Sequence, residues 1–340
     1  MSKKNKITSV DVARRAGVSQ SAVSRAFSRV PTQSGVSDKT RKRIMQAAGE
    51  LGYRPNALAR SLITQKSKIV ALLFSYLDNQ FYALALEKLC LELQGQGYHA
   101  LVFMIPATDE GVDDIVSELL EYQVDGIITA SVELSSSLCE FCSVQNVPVV
   151  MFNRVQDDDR LSSITTDNVT GGRMAAKHFL ETGHRKIALM AGWQRASTSR
   201  DREFGFRAEL RTQGVELFDF VVGHFHLGET RQASRALMNR PEAKRPDAVF
   251  AVNDYMALEA MSSIRSELKL RIPEDVSIMG FDDIPLAAMP EFSLTTLRQP
   301  INQMVSNAVR LMIEAIDNAD PVPEKLALTP TLIKRGSTRT

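Results

Sequence analysis

Gln20, Ser21 and Arg25 carry an amide, a hydroxyl and a guanidinium within ITSVDVARRAGVSQSAVSRAFS (7–28), a segment otherwise rich in small and apolar residues. Those groups match the donors and acceptors that base edges present in the major groove of DNA. A second set of polar and aromatic residues recurs just beyond apolar runs. Phe81 and Tyr82 follow KIVALLF, Asn153 follows VVMF, Arg200 and Arg202 follow IALMA, Asn253 follows VFAV and Asp282 follows SIMGF. Aromatic walls, amides and a carboxylate suit a hydroxylated small molecule, and a guanidinium suits an anion or a ring oxygen. Each Asn or Asp alone also reads as a helix cap, and that is the expectation for Asn168, Asp254 and Asp283.

Other constellations point away from catalysis. The first strand–helix turn, SYLDNQ, has neither GxGxxG nor GxxxxGK[ST], so dinucleotide and P-loop chemistry fail where they should appear. Gly171-Gly172 falls inside a helix start and is a weak signal. There is no GxSxG and no HExxH. Cys139 and Cys142 form a CxxC without the second pair a zinc site needs, and read as core thiols of a helix. His224 and His226 have no acidic or cysteine partner beside them. No enzyme activity, no metal and no cofactor is expected.

The elements that must position these groups follow from periodicity. Thr8 caps a first helix with Val10, Val12 and Ala13 inward. Gly17 sits at a sharp bend, and Ser19 caps a second helix running to about Ser28 with Val18 and Val23 inward. Gln20, Ser21 and Arg25 are left outward, as in a helix-turn-helix, although an ordinary αα-hairpin with a polar face has the same pattern. A third helix is capped at Ser37, spans 38–51 and stops at Gly52. Pro55 and Asn56 start a short helix at 57–62 with Leu58 and Leu62 on one face. It is too short to be stable alone, and its leucine is the kind of wedge that minor-groove binders insert. From residue 68 strands (68–74, 99–104, 124–130, 147–152, 185–191, 247–252, 275–281) alternate with helices (80–95, 111–121, 134–145, 168–181, 200–213, 229–239, 254–266, 301–316). That order implies parallel sheets buried on both faces. The polar break NRVQDDDRL divides the series into two doubly wound α/β lobes, with ligand sites at strand C-termini.

The net charge of +1 hides an asymmetry: residues 1–66 carry +11, which leaves −10 for the rest. A basic head on an acidic body is the footprint of a nucleic-acid module joined to something else. Few aromatics in the head argue against single-strand stacking and membrane insertion. No apolar run reaches transmembrane length, the basic N-terminus lacks an apolar signal core, and three cysteines make no disulfide framework. A cytoplasmic protein that binds no membrane is expected.

The motifs SVDVARRAGVSQSAVSRAF, VSDKTRKRIMQAAGELGYRPNALARSL, VVMFNR, SRDREFGFRAEL, AVFAVNDYMALEA, VSIMGFDDIPLA, LTTLRQP and LIKRGST, in this order over nearly the whole chain, resemble the lactose-repressor (LacI/GalR) family of bacterial transcription regulators. The resemblance implies a homodimer on a pseudo-palindromic double-stranded operator, with a carbohydrate-derived effector held between two lobes of periplasmic-binding-protein type. It implies DNA contacts from Thr8, Ser19, Gln20, Ser21, Ser24, Arg25, Asn56, Ala59 and Leu62. It implies effector contacts from Phe81, Tyr82, Asn153, Arg200, Arg202, Phe225, Asn253 and Asp282. Expected boundaries are 1–54 for the DNA-binding domain, 55–66 for a hinge helix and linker, and 67–340 for the body. Lobe 1 spans about 67–162 and 297–322, and lobe 2 about 163–296 and 323–340. Two departures stand out: AFSRVPTQSG is about three residues longer than usual, and His224 and His226 occupy a strip where acidic or small polar residues are common. No leucine heptad follows LIKRGST either, so a coiled-coil tetramer is not expected. The competing reading is a sugar-binding protein or sugar-modifying enzyme with a DNA-tethering head.

Overall fold

The computed structural model describes residues 7–27, 35–54, 66–105, 112–131, 135–318 and 321–339. The chain divides into two compact units, Met1–Ser67 and Lys68–Thr340.

The first unit holds α1 (Ser9–Ala16), α2 (Gln20–Ala26) and α3 (Asp38–Leu51). Asp11 turns back on the start of α1, accepting from Thr8 N at 2.9 Å and Thr8 Oγ1 at 2.7 Å, so the cap is shared between the two residues. Gly17 takes φ +60°, which ends α1 without a Cβ penalty, and Val18 N donates back to Ala13 O at 3.0 Å. Ser19 Oγ accepts from Ala22 N and Ser37 Oγ from Thr40 N, as expected of N-caps. Val12, Ala13, Ala16, Val23, Ala26, Ile44, Ala47 and Ala48 form the core. Five of these eight are alanine, which lets the helices lie close but buries little area, so the Phe27–Tyr53 edge contact (5.7 Å) closes an otherwise thin core. Val10, expected inside, is 45 % exposed: Val12 and Ala13 already fill the seam towards α3, and Val10 falls off that stripe.

The second unit contains two six-stranded sheets. The first sheet runs β11-β5-β4-β3-β1-β2, all parallel. Its strands are β1 (Ile69–Phe74), β2 (His99–Met104), β3 (Gly126–Ala130), β4 (Val149–Phe152), β5 (Ser162–Thr166) and β11 (Lys325–Leu328). The second runs β12-β10-β9-β8-β6-β7, parallel except for the β10–β12 pair. It comprises β6 (Ile187–Ala191), β7 (Asp219–Val222), β8 (Ala248–Ala251), β9 (Ser277–Asp282), β10 (Thr295–Arg298) and β12 (Thr331–Ile333). Helices α4 (Gln80–Gly95), α5 (Val112–Glu121), α6 (Ser136–Val144) and α11 (Ile301–Asp317) belong with the first sheet. With the second go α7 (Asn168–Glu181), α8 (Ser197–Thr212), α9 (Leu227–Met238) and α10 (Asp254–Ser266). Strands such as IVALLF and IALMA are almost wholly buried, as parallel strands covered by helices must be.

The expected lobe limits need correction. Residues 162–166 pair with β4 and so remain in the first lobe, four residues past the expected crossing. Residues 297–298 complete β10 of the second sheet, and residues 325–328 add β11 to the first rather than belonging to lobe 2. Register decides this, because SSITT, TTLR and KLAL satisfy their backbone groups only beside the strands they join.

Helices α7 and α8 approach each other through glycine. A Cβ on Gly172 would lie 2.1 Å from Arg202 O, and one on Gly205 2.0 Å from Val169 O. The two glycines therefore let α7 and α8 meet backbone to backbone, which fixes the start of α8 and with it Arg202.

Candidate functional site

On the head, Thr8, Ser19, Gln20, Ser21, Ser24 and Arg25 are all exposed. Gln20 Nε2 donates to Ser9 Oγ at 3.0 Å, and Arg25 Nε to Ser21 O at 3.3 Å, so both side chains lie along the helix surface. Arg15 pairs with Glu50 at 2.7 Å on the far ends of α1 and α3. Asn56, Ala59 and Leu62 lie outside the described residues.

In the second unit the chain gathers most of the sequence-predicted residues between the lobes. At the end of β4, Asn153 takes φ +67°, a conformation Asn tolerates, and Asn153 Nδ2 donates to Tyr82 Oη at 3.0 Å. Tyr82 rests against Phe81 (5.4 Å), which stacks on Phe152 (6.5 Å), so Phe81 is the wall behind the tyrosine. Arg202 is 2 % exposed. Its Nε donates to Asn168 Oδ1 at 2.8 Å, its Nη1 to Val252 O at 2.6 Å, and its plane lies 3.6 Å over the Phe281 ring. Asp282 Oδ1 sits 3.6 Å from Arg202 Nη1 and accepts from Gln299 Nε2 at 2.7 Å. Gln299 Oε1 in turn accepts from Thr166 Oγ1 at 2.6 Å, which joins two of the interlobe crossings. Asn153 Oδ1 and Arg202 Nη2 are buried here without a hydrogen-bond partner.

The electrostatics follow from burial. Burial lowers the Arg202 pKa against the pull of Asp282. It raises the carboxyl of Asp282, although Arg202 opposes it, and raises that of Asp254 further with the help of Asp282's charge. Burial, and then Tyr82, hold the Tyr76 phenol well above its usual range.

Three cap expectations change. Asp167, not Asn168, caps α7 by accepting from Thr170 N, which frees Asn168 for Arg202. Asn253, not Asp254, caps α10 by accepting from Met256 N at 2.9 Å, so its carbonyl is already engaged. Asp254 instead accepts from Thr296 Oγ1 and Ile284 N beneath Gly280. Asp283 holds Arg298 and Arg335, both at 2.6 Å. Arg200 is exposed on α8, since residues two apart on a helix do not share a face.

Phe225 packs edge-on against Trp193 (5.8 Å), and Trp193 against Tyr76 of the first lobe (6.4 Å). A Cβ at Gly192 would lie 2.1 Å from the Phe225 ring, so that position has room only for glycine with the ring in place. Further contacts cross between the lobes: Tyr255 Oη to Asp78 Oδ2 (3.1 Å), Val155 N to Ser197 Oγ (3.0 Å) and Leu286 N to Gln80 Oε1 (3.4 Å). His224 does have an acidic partner, Glu229, five residues on at 2.5 Å, while the His226 ring lies 5.6 Å from Trp193. No group of three metal-ligating side chains occurs among the described residues. Cys139 and Cys142 are buried in α6, and burial pushes the Cys142 thiol up to about 11.

Residues 8–56 match the family model of bacterial regulatory proteins of the lacI family, and residues 176–338 match a periplasmic binding protein-like domain. The ribose operon repressor of Escherichia coli K12 is 30 % identical over 336 residues, covering 97 % of this chain and 99 % of that one. The transcriptional regulator DegA of Bacillus subtilis is 32 % identical over 342 residues, covering 98 % of both. This chain belongs to the LacI family. It is a DNA-binding transcriptional regulator. Among solved structures of the family, the Lac repressor dimer bound to operator and the anti-inducer ONPF is similar to it, with a TM-score of 0.86 and 28 % identity, over 99 % of this chain and 100 % of that one. A cellobiose complex of the regulator CelR matches with a TM-score of 0.72 and 30 % identity, over 98 % of this chain and 100 % of that one.

Within this LacI-family cleft, sequence reasoning missed Tyr76, Trp193, Asn168 and Gln299. Tyr76 lies in SYLDNQ, the strand–helix turn read only for phosphate loops, and Trp193 is the one tryptophan, two residues past a strand end. Both positions carry the signal that flagged Asn153 and Asn253. Among the described residues no helix is long and apolar enough to cross a membrane.

Proposed function

We propose that the protein is a repressor that binds a pseudo-palindromic operator as a homodimer, with an affinity set by a small hydrophilic effector held between the lobes. One observation carries the reading. The same chain has a helix-turn-helix with exposed Gln20, Ser21 and Arg25, and an interlobe cleft where Asn153 Oδ1 and Arg202 Nη2 are buried without partners. A buried polar atom left unpaired costs about 1–3 kcal/mol, which a hydrogen-bonding ligand removes.

In this reading Gln20, Ser21 and Arg25 read base edges, while Thr8, Ser19 and Ser24 offer hydroxyls to the phosphates beside them. Asn56, Ala59 and Leu62 serve the hinge, with Leu62 as the minor-groove wedge. Phe81, Tyr82, Asn153, Arg202, Phe225, Asn253 and Asp282 line or support the effector site; Arg200, exposed on the other side of α8, has the weakest claim. The Lac repressor dimer on its operator supports the assembly, and the CelR–cellobiose complex supports a carbohydrate.

Selection of duplexes from a random pool by the full chain tests the reading. The expected product is an inverted repeat, bound with a steep salt dependence. An effector must then change operator affinity by the same factor by which the operator changes effector affinity. Equal binding to selected and random duplexes, or turnover of the bound ligand, overturns it.

A further inference from the structure

Resting on the reading of α2 as the helix that meets base edges, we infer that Arg41 of α3 is a positioning residue for sequence recognition. It pins the last carbonyl of α2 and so sets where Arg25 meets the DNA.

The helix α2 (Gln20–Ala26) has 7 residues, and residues 27–37 separate it from α3. A helix this short has little stability of its own and takes its orientation from what holds its two ends. The first end is held from α1. Val18 N donates to Ala13 O at 3.0 Å across the bend, and Gln20 Nε2 donates to Ser9 Oγ at 3.0 Å. The second end is held from α3. There Arg41 Nη1 donates to Ala26 O at 2.7 Å, a part-buried bond between residues 15 apart in sequence.

The last carbonyls of a helix have no donor within it. Phe27 N turns back to Val23 O at 3.3 Å as α2 ends, and Ala26 O takes its hydrogen from Arg41. A guanidinium there also sets positive charge against the negative end of the helix dipole. Between the two ends, Val23 and Ala26 of α2 pack into a core made largely of alanine. Small side chains make few contacts and interlock little, so the directional bonds at the ends decide the tilt of the helix.

Arg25 stands immediately before the pinned residue. A Cβ on Gly35 would lie 3.8 Å from Arg25 Nη1, so this guanidinium runs beside the chain entering α3. Gln20 and Arg25 are separated by about 7.5 Å of helix rise. With the Gln20 end held by α1, a tilt of about 10° would move the Arg25 end by roughly 1.3 Å. That is enough to spoil the two-point contact by which an arginine reads guanine. Gln20 and Ser21, beside the pivot, move much less. Loss of the Arg41 bond should therefore blur the base position that Arg25 reads in each half-site and spare the others. In this role Arg41 acts through α2 and needs no contact with DNA.

Duplexes are selected from a random pool by the full wild-type chain and by its Arg41→Ala, Arg41→Lys and Arg25→Ala variants. Gel shifts over a range of salt then give affinities for the wild-type product and for random duplex. Arg41→Ala is expected to bind the selected operator about tenfold or more weakly, yet random duplex within about threefold of wild type. Its preference should fade at the position that Arg25→Ala also loses. Its salt slope should stay within about 0.5 of the wild-type value. Arg41→Lys keeps one cationic donor for Ala26 O and should restore part of the lost preference. An equal loss on operator and random duplex, with a slope smaller by about 1, marks a phosphate contact and overturns the inference. Loss of all DNA binding by both Arg41 variants marks a head that no longer folds and overturns it too. So does a preference that Arg41→Ala leaves intact, or blurs evenly or elsewhere in the half-site. A wild-type repeat indifferent to Arg41→Ala refutes this inference alone, whereas a wild-type chain that selects no repeat refutes base reading by α2 along with it.

Discussion

Substituting alanine at Gly172 tests whether the α7–α8 contact positions Arg202. The added Cβ would lie 2.1 Å from Arg202 O and 2.8 Å from Phe206 N, both backbone atoms. Carbon contacts rest at about 3.5–4.0 Å, so the helices must part by roughly an ångström or more. Overpacking costs about 1–3 kcal/mol, and a clash with backbone belongs at the upper end because no side chain can swing away. Alanine's better helix propensity returns about 0.5–1 kcal/mol. The net loss is about 2 kcal/mol, or roughly 4–8 °C in Tm for a unit of this size. Because Arg202 O is the displaced atom, effector affinity should fall about tenfold or more even at temperatures where the chain is folded. Denaturant unfolding followed at Trp193 gives the stability, and ligand titration gives the affinity. Gly95→Ala is the control: nothing lies within 4 Å of its Cβ and it ends α4, so no loss and a gain of at most about 1 kcal/mol is expected. A Gly172→Ala chain with the wild-type midpoint and ligand affinity would refute the argument.

Further outcomes follow from other contacts. Arg202→Lys keeps the charge but cannot reach Asn168, Val252 O and the Phe281 face together; stability should fall by about 2–3 kcal/mol, read as a lower denaturation midpoint. Gln20→Ala should relax base preference at one position of each half-site, costing about 1–3 kcal/mol on operator and little on random duplex in gel-shift titrations. Asp254 and Asp282 are raised by burial, so the folded chain binds protons that the unfolded chain has released. Stability should therefore decline as pH rises from about 4 towards neutrality, and Asp254→Asn should flatten that slope. Asp158 and Asp275, drawn down to about 2 by Arg160 and Arg271, act with the opposite sign and only below about pH 4, where their support is lost as pH falls.

Long apolar runs and strong caps made much of the fold legible. The helices at 80–95, 168–181 and 254–266 begin and end where periodicity puts them. Strands such as SSITT, TTLR and KLAL were not legible, because their stability comes from partners distant in sequence. Between the sheets, strand-end position pointed to Asn153, Arg202 and Asp282, and the structure brings Asn153 against Tyr82 and Asp282 to 3.6 Å from Arg202. Strand-end position also suggested Arg200, which helix geometry turns away, and assigned to capping Asn168, whose neighbour Asp167 takes that role. Trp193 and Gln299 join the gap only through contacts with Tyr76 and Thr166, each from the other lobe. No local pattern encodes those meetings.

The passage of the chain back and forth between the sheets has a consequence for biosynthesis. The head is complete once α3 and Tyr53 have left the ribosome, since among the described residues its core draws on nothing beyond Tyr53. Neither sheet is complete until late in the sequence: β11 adds the outer strand of the first at Lys325–Leu328 beside β5, and β12 that of the second at Thr331–Ile333 beside β10. Until then β5 and β10 stand as unpaired edges in place of β11 and β12, and such late, long-range pairings are slow to form and leave strands open to aggregation. A chain halted late in translation would thus carry a folded three-helix head on two sheets that still lack their final strands.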